Sequence, residues 1–223
     1  MPEPMLAIFD LDYTLTRRGT WGRFTWQMAK YRPHIWIQLL ISAGWTQWRY
    51  KKGHLPRVRV KQAMMRWCMV GKPRETMISE AKKFAEREVS SGLRPGGLTK
   101  LRAHQEAGDH ILLVSAAVDI IVREICERLG VEDYLATNMD WDENNRLKED
   151  FASANCYGPE KILRLETFLT SHPDLKNRPS IMYSDSHSDI PIMEFCDSCV
   201  AVNPSEKLEK YAREHGIPIE NWD

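Results

Sequence analysis

The sequence predicts an α/β protein: a parallel sheet covered by helices on both faces, with an inserted all-helical cap early in the chain. Three observations predict it. Short apolar runs of strand length recur at 5–9, 111–114, 134–137, 181–184 and 199–202. Between them lie segments of helical length bounded by glycine and proline, the alternation that builds a parallel sheet buried on both sides. One long stretch, residues 17–90, instead turns to helical spacing, basic residues and tryptophan.

The elements follow in order. Residues 5–9 make the first strand, which stops at Asp10. Pro33 starts a helix running to about residue 50, since proline in a first turn forfeits no hydrogen bond; Gly53 and Pro56 break it. A second insert helix covers 57–69 and is stopped by Gly71-Lys72-Pro73; a third runs from about 74 to 89. Residues 93–97 turn into a helix ending at Ala107, before Gly108. The run at 111–114 is a buried strand ending at Ser115, followed by a helix at about 118–129 that Gly130 closes. Residues 134–137 make a short strand, and 138–150 a hairpin or loop. Gly158-Pro159 open a helix to about 169. The run at 181–184 is a strand ending at Asp185, 199–202 is the next, and a last helix spans Ser205 to Gly216. The expected layout is a Rossmann-like core from residues 1–16 and 91–223, with residues 17–90 as the helical cap.

Charge supports two surfaces. The whole chain of 223 residues is balanced at 31 basic and 31 acidic side chains, but residues 17–90 hold 17 Lys/Arg against 4 Asp/Glu. That stretch carries +13 and the remainder −13, and no carboxylate side chain occurs between Asp12 and Glu75. Six of the eight tryptophans lie in the insert, where they read as a helical core or as a face toward substrate or membrane. The apolar stretch 34–45 is too short and polar for a bilayer span, which needs about 20 apolar residues. The first four residues resemble no signal peptide, so the cytosol is the expected compartment, with peripheral membrane association open. Five cysteines without regular spacing, including the Cys196/Cys199 pair, read as ordinary thiols. No nucleic-acid recognition motif is present, and oligomeric state is open.

The chemistry gathers at strand ends. Asp10 and Asp12 follow the first strand directly, and two crowded carboxylates repel unless a proton or cation compensates. A hard divalent ion held by carboxylate oxygen, with one aspartate free to attack, accounts for them simply. The set Asp10-Leu11-Asp12-Tyr13-Thr14, Ser115 after an apolar strand, Lys161 after Gly158-Pro159, and Ser184-Asp185-Ser186-His187-Ser188-Asp189 resembles the haloacid dehalogenase superfamily across essentially the whole chain. The insert's position resembles the cap of its phosphoserine-phosphatase-like branch.

The resemblance implies a phosphomonoesterase acting through an aspartyl-phosphate. It makes Asp10 the nucleophile and Asp12 the general acid and base. Ser115 and Lys161 would bind the substrate phosphate. Mg2+ would be held by Asp10, the backbone carbonyl of Asp12, and Asp185, with Asp189 supporting the metal shell or orienting Lys161. Thr14 would fix the loop after the nucleophile, and His187 either meets substrate or fills a loop.

The substrate is expected to be a small anionic phosphate ester. Arg17, Arg18, Arg23 and Arg57, with Arg59 and Lys61, offer the cap a second anion site. Phosphoserine phosphatases carry a glutamate nine residues after the nucleophile, where this chain has Gly19; an ammonium group would lack that partner. Trp21-Gly22-Arg23-Phe24 resembles some histidinol-phosphate phosphatases, and the stretch from Asn155 to Lys161 resembles bacterial phosphatidylglycerophosphate phosphatases. A lipid phosphatase at an anionic membrane, a phosphoserine or histidinol-phosphate phosphatase, and a non-catalytic binding protein on the same fold remain the alternatives.

Overall fold

The structure, a computed structural model, describes residues 4–223. Residues 1–3, most of the segment in which no leader is read, lie outside the described residues. The strands are β1 (Leu6–Phe9), β2 (His110–Val118), β3 (Asp133–Thr137), β4 (Met139–Trp141), β5 (Leu147–Phe151), β6 (Ser180–Ser184), β7 (Ser198–Val202) and β8 (Ile219–Glu220). Six of them form one parallel sheet in the order β3-β2-β1-β6-β7-β8, while β4 and β5 make a separate antiparallel hairpin. Setting the hairpin aside, the chain winds outward one way from β1 and then the other. The strand order therefore reverses between β1 and β6, which is where open α/β sheets bind ligands.

β1 shows why a fully apolar run was needed. Ala7 and Phe9 face one buried cluster, with Leu113 and Val202. Leu6 and Ile8 face the other, with Leu112, Leu165 and Met182. A strand covered on both faces has no side on which to place a polar residue. The helices follow: α1 (Thr20–Ala29), α2 (Trp36–Lys51), α3 (Val58–Cys68), α4 (Arg74–Arg87), α5 (Pro95–Ala107), α6 (Asp119–Leu129), α7 (Pro159–Ser171), α8 (Pro173–Lys176), α9 (Ile190–Phe195) and α10 (Glu206–His215). Residues of α5 and α6 fill the first cluster, and residues of α7, α9 and α10 fill the second.

The insert shares its core with the sheet. Phe24, Met28, Met65, Met77 and Phe84 belong to the same cluster as Phe9. The tryptophans do less of this packing than their number suggests. Trp21 is buried and Trp36 half-buried, but Trp26, Trp45, Trp48 and Trp67 are exposed. Methionine and phenylalanine fill the insert core, and most of the indoles face outward. Part of the basic excess is matched across the hairpin: Arg66 pairs with Glu149, Arg59 lies 3.9 Å from Asp150, and Gln62 donates to Asp150 at 2.7 Å. These exposed pairs steer the insert onto the hairpin more than they stabilise it.

Two boundaries differ from expectation. β2 does not end at Ser115 but runs to Val118. Its register against β3 shifts between Val114 and Val118, so a bulge carries the chain past Ser115 and pairing resumes at Val118 and Thr137. Residues 138–150 resolve into the β4–β5 hairpin, reaching Phe151. All five cysteines are free, and burial pushes the Cys196 thiol up to about 12, which keeps it an unreactive thiol.

Candidate active site

β1 and β6 are hydrogen-bonded neighbours, with Phe9 opposite Tyr183. The ladder continues one step as Asp10 N–H donates to Tyr183 O at 3.0 Å. Asp10 and Asp185 therefore leave the sheet side by side. Thr14 Oγ1 binds them together: it lies 3.2 Å from Asp10 Oδ2 and 3.2 Å from Asp185 Oδ1, and accepts the Asp185 N–H at 3.0 Å. A hydroxyl has one proton, so it serves one carboxylate at a time.

The loop after Asp10 is held in an unusual shape. Tyr13 has φ +67°, a region that costs a side chain-bearing residue about 1–3 kcal/mol and recurs at functional sites. Arg94 Nε donates to Tyr13 O at 3.1 Å and secures it. Asp12 Oδ1 in turn accepts the N–H of Thr20 at 2.8 Å, the first residue of α1. The carboxylate thus sits on a helix N-terminus, where the backbone dipole favours negative charge.

Lys161 enters from the opposite side. Gly158, at φ +59°, takes a backbone turn that a side chain would resist, and Pro159 opens α7. The first turn then points Lys161 inward, where it is buried and donates to Asp10 Oδ1 and Asp189 Oδ2, both at 2.7 Å. Ser184 Oγ also donates to Asp189 Oδ2, at 2.7 Å. Ser115 is fully buried and its Oγ accepts Ala117 N–H at 3.1 Å.

Asp10, Asp12, Ser115, Lys161, Asp185 and Asp189 all line one small cavity of about 90 Å3. A second chamber of about 650 Å3 adjoins it, sharing Asp12, Tyr13, Arg57 and Ala116. Trp21, Tyr50, Val60 and Met64 give the larger chamber apolar walls, and Arg18, Arg23, Arg57 and Lys61 give it positive charge. Another cavity of about 440 Å3, lined by Leu6, Leu165, Ser180 and Cys196, lies at the other end of the strands.

The basic residues are not equivalent. Arg17 faces Asp223 at 3.8 Å and lines neither chamber; Arg59 lines neither as well. Arg23 is paired with Glu88, a buried acid the sequence reading did not single out. Burial raises the Glu88 carboxyl and Arg23 opposes the rise. Arg57 stacks over the Tyr157 ring at 4.3 Å, and Arg18 has no ion pair among the described residues. Lys61 is buried and donates to Ala116 O and to Asn155 Oδ1 (2.6 Å); burial pulls it down to about 8. His187 is exposed and off both cavities. Trp21 Nε1 and Thr20 Oγ1 are buried without a hydrogen-bond partner among the described residues, and of the two Trp21 lines the larger chamber.

Burial lifts Asp10 to about 8, with Asp189 and Asp185 adding to the rise and Lys161 opposing it. Burial and then Asp189 lift Asp185 to about 6. Burial also raises Asp12, against the Thr20 hydrogen bond. A free aspartate at its ordinary pKa would be ionised at neutral pH without help; in this setting Asp10 needs added positive charge to be so. Both folded values exceed the ordinary 3.8, so the protonated forms stabilise the fold. That stabilisation is complete below about pH 4 and drains away as pH rises through 6 and 8. In a chelator, Tm contributed by this pair is expected to fall by about 4 °C or more between pH 5 and pH 8, read by thermal unfolding. A Tm that rises over that window in Asp10→Asn/Asp185→Asn and wild type alike would deny the pair this role.

The donor set suits a hard cation. Among the described residues no three His, Cys, Asp or Glu side chains form a metal cluster. Two carboxylates joined through Thr14 and pushed toward neutrality by burial, in a cavity with room for water, nonetheless suit Mg2+, which keeps several waters and uses few carboxylates.

A parallel sheet with carboxylates at its reversal point and a lysine shared by two of them defines the class, an α/β protein with a charged ligand site at its strand ends. The family model for haloacid dehalogenase-like hydrolases matches residues 7–194, and the chain belongs to that family. It is 26% identical over 234 residues to the histidinol-phosphatase of Neisseria meningitidis, covering 97% of this chain and 98% of that one. A Bordetella pertussis protein of unknown function superposes with TM-score 0.87 at 21% identity, covering all of both chains. A substrate-bound phosphoserine phosphatase superposes with TM-score 0.69 at 18% identity, covering 100% of this chain and 96% of that one.

Proposed function

We propose that the protein is a Mg2+-dependent phosphomonoesterase that works through an aspartyl-phosphate on Asp10, with residues 17–90 as its cap. The observation that carries this is the convergence of Asp10, Asp12, Ser115, Lys161 and Asp185 on one small cavity. An Asp10 oxygen attacks phosphorus and the bond to the leaving oxygen breaks. Asp12 gives that oxygen its proton, then takes one from the water that attacks the phosphoenzyme and frees inorganic phosphate. Burial, which raises the Asp12 carboxyl, favours the protonated form in which it begins each turnover; it passes through the carboxylate between the two steps and regains the proton from water. Ser115 and Lys161 supply a donor and a positive charge where the phosphoryl oxygens gather charge. Asp10, Asp185 and the Asp12 carbonyl would hold Mg2+, which supplies charge neutralisation between carboxylate and phosphate.

The substrate reading is a small phosphate ester with a second anionic group. Arg18, Arg57 and Lys61 surround the larger chamber, and Asp12 is its one carboxylate. Gly19 supports this reading. It puts no carboxylate at that position, and a Cβ there would stand 3.2 Å from the Tyr13 ring, a contact that asks the exposed Tyr13 side chain to shift slightly. The full-length likeness to a histidinol-phosphatase favours a second reading, histidinol phosphate, for whose ammonium group Asp12 is the chamber's carboxylate.

A panel of phosphate esters separates the two. Esters bearing a further carboxylate or phosphate and no amine are expected to exceed histidinol phosphate and phosphoserine in kcat/KM by at least tenfold; the reverse order would move the assignment to an amino substrate. EDTA is expected to silence hydrolysis and Mg2+ to restore it. Undiminished turnover in excess chelator would sink the metal role.

A further inference from the structure

Helix α2 turns more apolar surface outward than inward. Leu39 is its one buried residue, at 9% exposure. Ile37 (69%), Leu40 (72%), Ile41 (67%), Trp45 (61%) and Trp48 (49%) stand in solvent. Their spacing of i, i+3, i+4, i+8 and i+11 places them on one stripe of a 3.6-residue helix. The indoles of Trp45 and Trp48 stack with centroids 5.1 Å apart, extending the stripe toward its C-terminal end. Trp26 of α1, also exposed, packs on Trp36 at 5.1 Å and extends it at the other end. Single exposed apolar residues are ordinary, but a continuous stripe with two stacked indoles marks an interaction surface.

The charge around the stripe chooses among partners. Lys30 and Arg32 lie before its N-terminal end, and Arg49, Lys51 and Lys52 at its C-terminal end. No acidic residue occurs from Tyr13 to Arg74. A second copy of the chain docked along this face, in either direction, would set bases against bases with no carboxylate between them. An anionic lipid surface has the opposite sign, and an aliphatic stripe with indoles at headgroup depth fits its interface. At 16 residues the helix is about 24 Å long, enough to lie in that plane, and no helix among the described residues is long and apolar enough to cross a membrane. Gln47 and Tyr50 on the same helix line the larger chamber, so docking would leave that side of the helix facing the substrate.

We infer that the outer face of α2 is a docking surface for an anionic membrane interface. This concerns a surface and does not rest on the hydrolytic reading. The test is co-sedimentation of the full chain, at low salt, with vesicles of phosphatidylcholine alone or mixed with phosphatidylglycerol. Binding at least tenfold tighter to the anionic vesicles is expected, with a blue shift of tryptophan emission, and weakening as salt is raised. Ile41→Gln/Trp45→Gln is expected to lose at least tenfold in binding, and Lys51→Glu/Lys52→Glu to lose the preference for anionic lipid. Both variants should keep hydrolysis of a soluble ester, which shows that they fold. Equal binding by wild type and both variants, or none to anionic vesicles, would overturn the inference. A concentration-dependent dimer in analytical ultracentrifugation that Ile41→Gln abolishes would overturn it too, by assigning the face to self-association. Loss of vesicle binding with hydrolysis intact would leave the enzymatic proposal standing.

Discussion

Asp10→Asn is expected to lower turnover of a generic phosphate ester by at least about 10^4-fold, the scale seen when a covalent nucleophile is removed. The amide is isosteric with the carboxyl but cannot form the acyl phosphate. The fold should tolerate it well. Burial already raises the Asp10 carboxyl toward its neutral form, so a neutral side chain suits the position. Metal-free Tm is therefore expected to hold or rise slightly. Asp12→Asn gives a contrast that separates the two roles. A general acid contributes about 10^2–10^4-fold, and less when the leaving group is a nitrophenolate that needs no proton. With such an ester, Asp12→Asn should still release a burst of nitrophenol, then stall as the phosphoenzyme waits for an activated water. Asp10→Asn should show no burst. A burst from Asp10→Asn, or full activity, would end the nucleophile assignment.

Asp10 and Asp185 were readable in advance for a physical reason. A strand buried on both faces tolerates no charge, so the first charged residue marks its end, as Asp10 does after Phe9 and Asp185 does after the buried Ser184. Ser115 was harder. β2 continues through Ala116, Ala117 and Val118 across a bulge, and no local signal separates a strand that ends from one that shifts register. α2 escaped for a different reason. Its apolar spacing reveals a stripe but not whether the stripe faces core or solvent, because Leu39 and Leu40 are chemically alike and differ in which way they turn. Arg23 and Glu88 are 65 residues apart and meet only after α1 and α4 have packed, so nothing local announces that Arg23 is already neutralised. The ionisation of Asp10 is not legible from its free value, since desolvation belongs to the folded site and not to the residue.

Lys161→Met is expected to be the most damaging single change to stability at the site. The thioether nearly fills the lysine's volume, so lost packing contributes little. The charge is another matter. Lys161 is the cation shared by Asp10 and Asp189, all three buried, and both contacts are 2.7 Å. Removing one partner of a buried ionic group costs about 3–5 kcal/mol, because the remaining charge has neither water nor a counterion. For a chain of this size that is about 10 °C in Tm. The loss should depend on pH with a definite sign. Without the ammonium that opposes its rise, Asp10 moves further up and the folded variant favours the protonated carboxyl. A group raised in the fold stabilises below its unfolded value, near 3.8, and loses that contribution as pH rises through its folded value. The variant's deficit against wild type is therefore expected to hold steady from pH 5 to about pH 8, where both folded forms keep the Asp10 proton, and to widen above pH 8 as wild type alone releases it, read by thermal unfolding in a chelator. Lys161→Arg should not rescue it, since a planar fork cannot place one nitrogen 2.7 Å from two carboxylates in a cavity shaped for an ammonium. A deficit that stays flat as pH passes 8, or full activity in either variant, would show that Lys161 is a packing residue and that the carboxylates are compensated by something else.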